Sequence, residues 1–274
     1  MALTIAGSDS GAGAGLQADL KTFSALGVFG TVAVTAVTAQ STAAVLGVVA
    51  MEPAFVDLQL DAVLGDLPVA AVKTGMLSTP AIVRAVGRRA GAGDLPRLVV
   101  DPVLVASTGR PLLDEDGVGA YLAHLLPYAD VVTPNLEEAA LLTGMPVGDL
   151  DAMVVAAERL AGTGARTVVV KGGHLGGDTA PDVLWHDGQV TVLPGARVPT
   201  TNDHGTGCTL SAAITAYRAQ GLDQVAAITH AKQYVARAIR GAARWRLGAG
   251  HGPLDHFGWN GAPGPLPRAA PPPP

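Results

Sequence analysis

Residues 130–171 read DVVTPNLEEAALLTGMPVGDLDAMVVAAERLAGTGARTVVVK. Asp130–Thr133 and Thr167–Lys171 are short, continuous apolar runs, and between them Glu137–Thr143 and Asp149–Gly162 carry helical patterns. Uninterrupted valines, instead of strict alternation, fit parallel strands covered on both faces. The same beat extends toward the N-terminus. Strands are expected at Leu3–Ala6, Thr31–Ala39, Ala70–Thr74 and Leu98–Asp101, and helices at Leu16–Leu26, Pro53–Gly65, Thr79–Ala90 and Asp116–Leu126. Glu52-Pro53 and Ser78-Thr79-Pro80 are helix start signals. The alternation predicts an α/β fold, a doubly wound and mainly parallel sheet with helices on both faces.

Beyond residue 171 the pattern changes. Asp187-Gly188 between Val183–His186 and Gln189–Leu193 predicts a hairpin. A glycine-rich turn then opens a helix from about Gly207 to Gln220, and a longer helix is expected over Asp223–Leu247. The sequence reads as one domain over residues 1–258, followed by a Gly/Pro/Ala-rich tail over 259–274 that is expected to be disordered.

The 274 residues are 49% hydrophobic and 15% charged, enough apolar material for a core and too much for intrinsic disorder. A net charge of −5 and 4% aromatic residues argue against nucleic-acid binding. The single cysteine, Cys208, excludes an internal disulfide framework and a multi-cysteine metal site. No charged side chain occurs from Thr22 to Met51, but Gln40, Ser41 and Thr42 interrupt that stretch. It reads as strand–turn–strand and not as a membrane span. No membrane association is expected, and the location predicted is cytoplasmic.

In such a sheet, ligands bind beyond the carboxyl ends of the strands. Polar groups collect after six predicted strands: Gly7 to Gly15, Gln40-Ser41-Thr42, Lys73-Thr74-Gly75-Met76, Asp101-Pro102-Val103, Thr133-Pro134-Asn135 with Glu138, and Lys171-Gly172-Gly173-His174. Neither a G-x-G-x-x-G nor a G-x-x-x-x-G-K-[ST] pattern is present, which excludes both nucleotide fingerprints. The first glycine cluster fits a flexible turn as well as a close approach of ligand to backbone. His204-Gly205-Thr206-Gly207-Cys208-Thr209 is sharper, because a glycine-rich turn into a helix aims backbone N–H groups at one spot. Cys208 in the first helical turn predicts a thiol pKa below the free value of about 8.5, set against the alternative of a small core residue. Asn135 and Glu138 fit a metal-holding pair and, equally, a helix cap with its third residue.

Leu3–Asp9, Gly15–Phe23, Thr38–Gln40, Lys73–Leu77, Asp101–Val103, Thr133–Asn135, Lys171–His174 and His204–Ala213 together resemble the hydroxymethylpyrimidine/phosphomethylpyrimidine kinases of thiamine biosynthesis, in family order and from residue 3 to about 257. The resemblance implies a ribokinase-like fold, ATP and magnesium as cofactors, and two successive phosphorylations of an aminopyrimidine. It implies that Asp19 and Gln40 hydrogen-bond the pyrimidine while Gly7, Met76 and Val103 form an apolar slot. It further implies that Asn135 and Lys171 meet ATP, that Glu138 and Asp101 hold the metal, and that Gly205, Thr206, Gly207 and Cys208 form the catalytic turn. A homodimer is implied as well. The departures are Ser10-Gly11-Ala12-Gly13 in the first loop, Ser41, and Thr201 with Asp203 before the turn. A pyridoxal or pyridoxamine kinase is the rival enzyme, and a non-catalytic pyrimidine-binding sensor is the rival from a different class.

Overall fold

A strand of continuous apolar residues has no polar face to turn toward water, so it must be covered on both sides. The computed structural model describes residues 1–105 and 115–259, and it meets that requirement with a nine-stranded sheet. In chain order its elements are β1 (Ala2–Asp9), α1 (Gly15–Ala25), β2 (Gly30–Gln40), β3 (Val45–Ala50), α2 (Pro53–Leu64), β4 (Ala71–Thr74) and α3 (Pro80–Gly91). There follow β5 (Val99–Val100), α4 (Glu115–Ala120), β6 (Val131–Val132), α5 (Leu136–Thr143), α6 (Leu150–Ala161) and β7 (Thr167–Lys171). The chain continues through β8 (Asp182–His186), β9 (Gln189–Leu193), α7 (Thr206–Ala219) and α8 (Gln224–Ala242).

The strand order is β3-β2-β1-β4-β5-β6-β7-β8-β9. Pairing is parallel from β2 to β7 and antiparallel at both edges, through β3 and the β8–β9 hairpin. Successive residues of one strand serve opposite cores: Val168 and Val170 join the cluster of Leu3, Ile5, Val100 and Val132, whereas Val169 joins Val99, Val131 and the α7–α8 side chains. The chain leaves β1 in one direction to reach β2 and in the other to reach β4, so the crevice beside β1 is a topological switch point.

Several boundaries differ from the sequence expectation for local reasons. The strands expected at Leu98–Asp101 and Asp130–Thr133 pair over two residues each, because the chain turns outward at Pro102 and Pro134, which lack an N–H for a ladder. The helix expected over Asp116–Leu126 is α4 followed by a π turn, Tyr121–Leu125, and a 3₁₀ turn that opens at Leu126-Pro127. The helix expected to reach Leu247 stops at Ala242, where Asn202 Nδ2 donates to the carbonyls of Ala242 (2.7 Å) and Trp245 (3.1 Å) and satisfies the open helix end. The uncharged stretch divides among the end of α1, β2 and β3. Among the described residues no helix is long and apolar enough to cross a membrane. The tail expected from 259 onward lies, apart from Trp259, outside the described residues.

Candidate active site

The carboxyl ends of β1, β2, β4, β5, β6 and β7 open on one cavity of about 1260 Å³. Gly7, Gln40, Met76, Asp101, Val103, Asn135, Glu138, Lys171 and the turn Gly205–Cys208 all line it. The tertiary fold therefore brings together every predicted site residue except Asp19.

Asp19 is a correction. It sits mid-way along α1 on the face packed against the sheet and has no exposed surface. Its carboxylate accepts from Lys73 Nζ at 2.8 Å through both oxygens and from Thr4 Oγ1 at 2.6 Å. Those bonds hold the Lys73 ammonium above the ordinary lysine range against its burial. The pair belongs to the wall behind the cavity. The acid beside the first glycine loop that does reach the cavity is Asp9, at the end of β1. Its Oδ1 accepts from Gly11 N (2.8 Å), and its Oδ2 accepts from Gly13 N (3.1 Å), Ala14 N (2.9 Å) and His204 Nε2 (3.1 Å). Burial pushes its pKa up, but the bonds from His204 and the backbone outweigh that and hold the carboxyl below its usual range. A carboxylate two residues into a glycine loop was the available sequence signal.

Loop and helix meet tightly. Gly205 has φ +83°, and a Cβ there would be driven into the Gly13 carbonyl oxygen. Thr206 donates to the Asp203 carbonyl through Oγ1 (2.6 Å) and N (3.2 Å), and α7 begins with Thr206, Gly207 and Cys208 lining the cavity. Opposite them lies Lys171: a Cβ on Gly207 would stand 3.1 Å from Lys171 Nζ. Lys171 donates to Asp101 Oδ1 (2.9 Å) and lies 3.8 Å from Glu138 Oε2. Asp101 also accepts from Thr133 Oγ1 (3.2 Å) and Ser211 Oγ (3.1 Å). Burial disfavours both charges, yet the pair holds Lys171 above and Asp101 below their ordinary ranges. Glu138 is pushed up to about 7 by burial, which the nearby Lys171 only partly offsets.

The two readings of Asn135 and Glu138 turn out to be compatible. They form a reciprocal capping box: Glu138 N donates to Asn135 Oδ1 (2.9 Å), and Asn135 N donates to Glu138 Oε2 (2.7 Å). The cap fixes a buried carboxylate beside Lys171. Among the described residues no three carboxylate, His or Cys groups cluster tightly enough to hold a metal alone. Asp101 and Glu138 nevertheless fit magnesium, which keeps several waters and takes one or two carboxylates plus substrate phosphates.

Cys208 is the second correction. It is partly exposed at the cavity, but burial of the sulfur pushes the thiol up to about 11, against the lowering pull of Lys73 and the Gly15 N–H. At neutral pH it is a thiol, not a thiolate. A helix N-terminus lowers a thiol only where its field exceeds the desolvation cost, and here it does not.

Arg197 was not singled out by the sequence. Its guanidinium donates to the carbonyls of Gly177 (2.8 Å), Gly173 (2.9 Å), Thr179 (3.3 Å) and Leu175, and so pins the loop that follows Lys171. Two of the departures also acquire roles. Asp203 pairs with His251 Nδ1 (2.6 Å), and Ala12 adopts φ +56°, where its carbonyl accepts from Lys21 Nζ (2.7 Å). Nothing in the structure explains Thr201, which is exposed.

Behind the turn, buried His256 meets Thr209 Oγ1 through Nε2 (3.0 Å) and ties the C-terminal segment to α7. Burial, reinforced by Lys21, lowers its pKa to about 4. The folded protein thus resists protonation that the unfolded chain accepts near 6.5. This contribution is fully present above pH 6.5 and is lost as pH falls toward 4, at a cost of up to about 3 kcal/mol. Urea unfolding of wild type and His256→Gln at pH 7 and pH 4.5 should show the wild type losing more stability on acidification; parallel losses would refute the assignment.

The family model described as phosphomethylpyrimidine kinase matches residues 9–255. A hydroxymethylpyrimidine/phosphomethylpyrimidine kinase of Rhizobium meliloti is 51% identical over 261 residues, which cover 94% of this chain and 97% of that protein. A thiamine biosynthesis bifunctional protein of Geobacter sulfurreducens is 46% identical over 255 residues, 93% of this chain and 52% of that longer protein. The pyridoxal kinase of Staphylococcus aureus, solved with AMP-PCP and pyridoxal, superposes with a TM-score of 0.86 at 37% identity, covering 94% of each chain.

Proposed function

The chain belongs to the phosphomethylpyrimidine kinase family of ribokinase-like enzymes, and from that premise we propose that this cavity phosphorylates the hydroxymethyl group of 4-amino-5-hydroxymethyl-2-methylpyrimidine and then the resulting monophosphate. It is an ATP-using phosphotransferase of thiamine biosynthesis. The observation that carries the site assignment is Lys171 Nζ set against Gly207 at the open end of α7. An ammonium and the amides of a helix N-terminus there can hold the charge of a phosphoryl group in transfer.

In this reading the amides of Gly205, Gly207 and Cys208 in the turn that Thr206 anchors, together with the Lys171 ammonium, neutralise the phosphoryl oxygens. Asn135 fixes Glu138, and Glu138 with Asp101 would hold magnesium through water. The metal, when bound, screens the phosphate charge. Gln40 takes over the pyrimidine pairing alone, since Asp19 is behind the wall, and Gly7, Met76 and Val103 flank the ring. A Cβ on Gly7 would run into Met76 Cε, so a side chain there would displace the tip of Met76. Cys208 is a placed thiol beside the acceptor hydroxyl and not a standing base. The second step starts from a phosphate already anionic near neutral pH, so it depends on Cys208 less than the first.

This reading assigns residues 1–258 to one kinase domain working in the cytoplasm. The exposed apolar side chains Leu46 and Val49 on the edge strand β3, and Phe55 and Leu58 on α2, support a homodimer. The test is product analysis with ATP, magnesium and hydroxymethylpyrimidine, run beside pyridoxal and repeated with Cys208→Ser. Monophosphate followed by diphosphate is expected, with Cys208→Ser slowing the first step more than the second. Efficient pyridoxal phosphorylation without diphosphate would replace the reading with the vitamin B6 kinase. No transfer to either substrate would favour a binding protein.

A further inference from the structure

The proposed pyrimidine-reading residue sits in a hydrogen-bond chain whose donors and acceptors can be counted. His204 Nε2 lies 3.1 Å from Asp9 Oδ2, and the Asp9 carboxylate can only accept. Nε2 therefore carries a hydrogen. In one amide rotamer Gln40 Nε2 stands 3.3 Å from that same His204 Nε2, and Gln40 Oε1 stands 3.4 Å from Thr38 Oγ1. That rotamer sets two donors against each other. At its other end the Thr38 hydroxyl gives its single hydrogen to the Ser8 carbonyl at 2.9 Å, so it can only accept from Gln40. A half-turn of the amide exchanges oxygen and nitrogen, so that Gln40 Oε1 shares the single Nε2 hydrogen with Asp9 Oδ2 and Gln40 Nε2 donates to Thr38 Oγ1.

We infer that His204, held by Asp9, is a positioning residue that fixes the amide of Gln40 with its oxygen toward the imidazole and its nitrogen toward Thr38. The inference rests on the reading of Gln40 as the pyrimidine's partner. Its consequence is a specificity device: the amide presents acceptor and donor in a fixed order. An aminopyrimidine edge offers the complementary order, an amino donor beside a ring-nitrogen acceptor. The imidazole is itself held in place by packing, because a Cβ on Gly13 would lie 2.5 Å from His204 Cδ2. Its backbone N–H also donates to the Gly252 carbonyl at 3.1 Å. A free glutamine amide would read either order; a locked one rejects a ligand that cannot supply the amino donor.

The readout is discrimination, the ratio of kcat/KM for hydroxymethylpyrimidine to that for its analogue lacking the 4-amino group, with ATP saturating. Wild type is expected to discriminate by ~100-fold, the scale of leaving one buried polar group of the site unpaired. His204→Leu should bring the ratio down to within ~5-fold. His204→Gln, whose amide can donate from near the position of Nε2, should restore it. Thr38→Val removes the acceptor at the far end without touching the α7 turn, and should lower the ratio by ~3-fold or more. If His204→Leu does not fold, Thr38→Val decides the matter. Full discrimination retained in Thr38→Val and in any folded His204→Leu overturns the inference, as does His204→Gln behaving like His204→Leu. Wild type that transfers no phosphate to hydroxymethylpyrimidine is the separate failure of the underlying function.

Discussion

Lys171→Met should slow phosphoryl transfer severely and destabilise the fold together. Its ammonium is bonded to Asp101 at 2.9 Å and stands 3.8 Å from Glu138, and both carboxylates are almost fully buried. Removing the cation leaves two buried acidic groups facing each other, at a cost of about 3–5 kcal/mol. Asp101 has a depressed pKa in the fold, so its stabilising contribution is present at neutral pH and is lost as pH falls through that depressed value. The penalty of Lys171→Met should therefore be largest near pH 7 and shrink in acid, where the carboxyls take up protons. The rate loss should reach ~10³-fold, the scale for removing a charge that meets a transferring phosphoryl group. Urea unfolding at pH 7 and pH 4.5, with transfer assays, checks both parts. A variant as stable as wild type at pH 7 would show that the pair is not the support described.

Gly205→Ala is expected to be nearly as damaging, by a different route. A non-glycine residue at φ +83° costs about 1–3 kcal/mol in backbone strain. Its Cβ would also collide with the Gly13 carbonyl oxygen, so the first glycine loop and the head of α7 must separate. The same movement misaims the amides of Gly205, Gly207 and Cys208. A loss of at least ~10²-fold in kcat is expected, the scale for one misplaced charge-stabilising donor. Thermal unfolding should report a lower midpoint in the same variant. Wild-type kcat in Gly205→Ala would remove the turn from the chemistry. A useful contrast is Ala12→Gly: Ala12 already occupies φ +56°, so glycine there should leave stability equal or raise it by up to about 1 kcal/mol.

The sequence exposed its fold because the signal was local and repeated. Thr167–Lys171 and the hairpin strand Gln189–Leu193 occupy the residues that their patterns marked, and apart from β3, α4 and α8 the other helices and strands fall within a few residues of expectation. Boundaries moved where a distant group intervened. The end of α8 was set by Asn202, some forty residues earlier in the chain, which no pattern around Leu247 could reveal. The split of the helix after Ala120 reflects Pro127 and close packing of the His124 carbonyl on Gly87 of α3.

The site divides the same way. Sequence by itself determined which strand ends carry polar residues, because the period of the strands and the glycines after them are properties of neighbouring residues. It also marked the turn Gly205–Cys208, where two glycines open a helix. Only the tertiary structure decided which of those groups reach the cavity and in what protonation state. Asp19 and Asp9 are both acids near the first glycine loop, yet α1 turns one into the wall onto Lys73 and the strand end turns the other toward His204. Cys208 lies at a helix N-terminus, but the depth of its sulfur outweighs the field of that helix and raises its pKa to about 11. Chain order is set by covalent bonds and can be read along the sequence. Desolvation and pairing depend on which remote atoms surround a group, and those atoms are assembled only by folding.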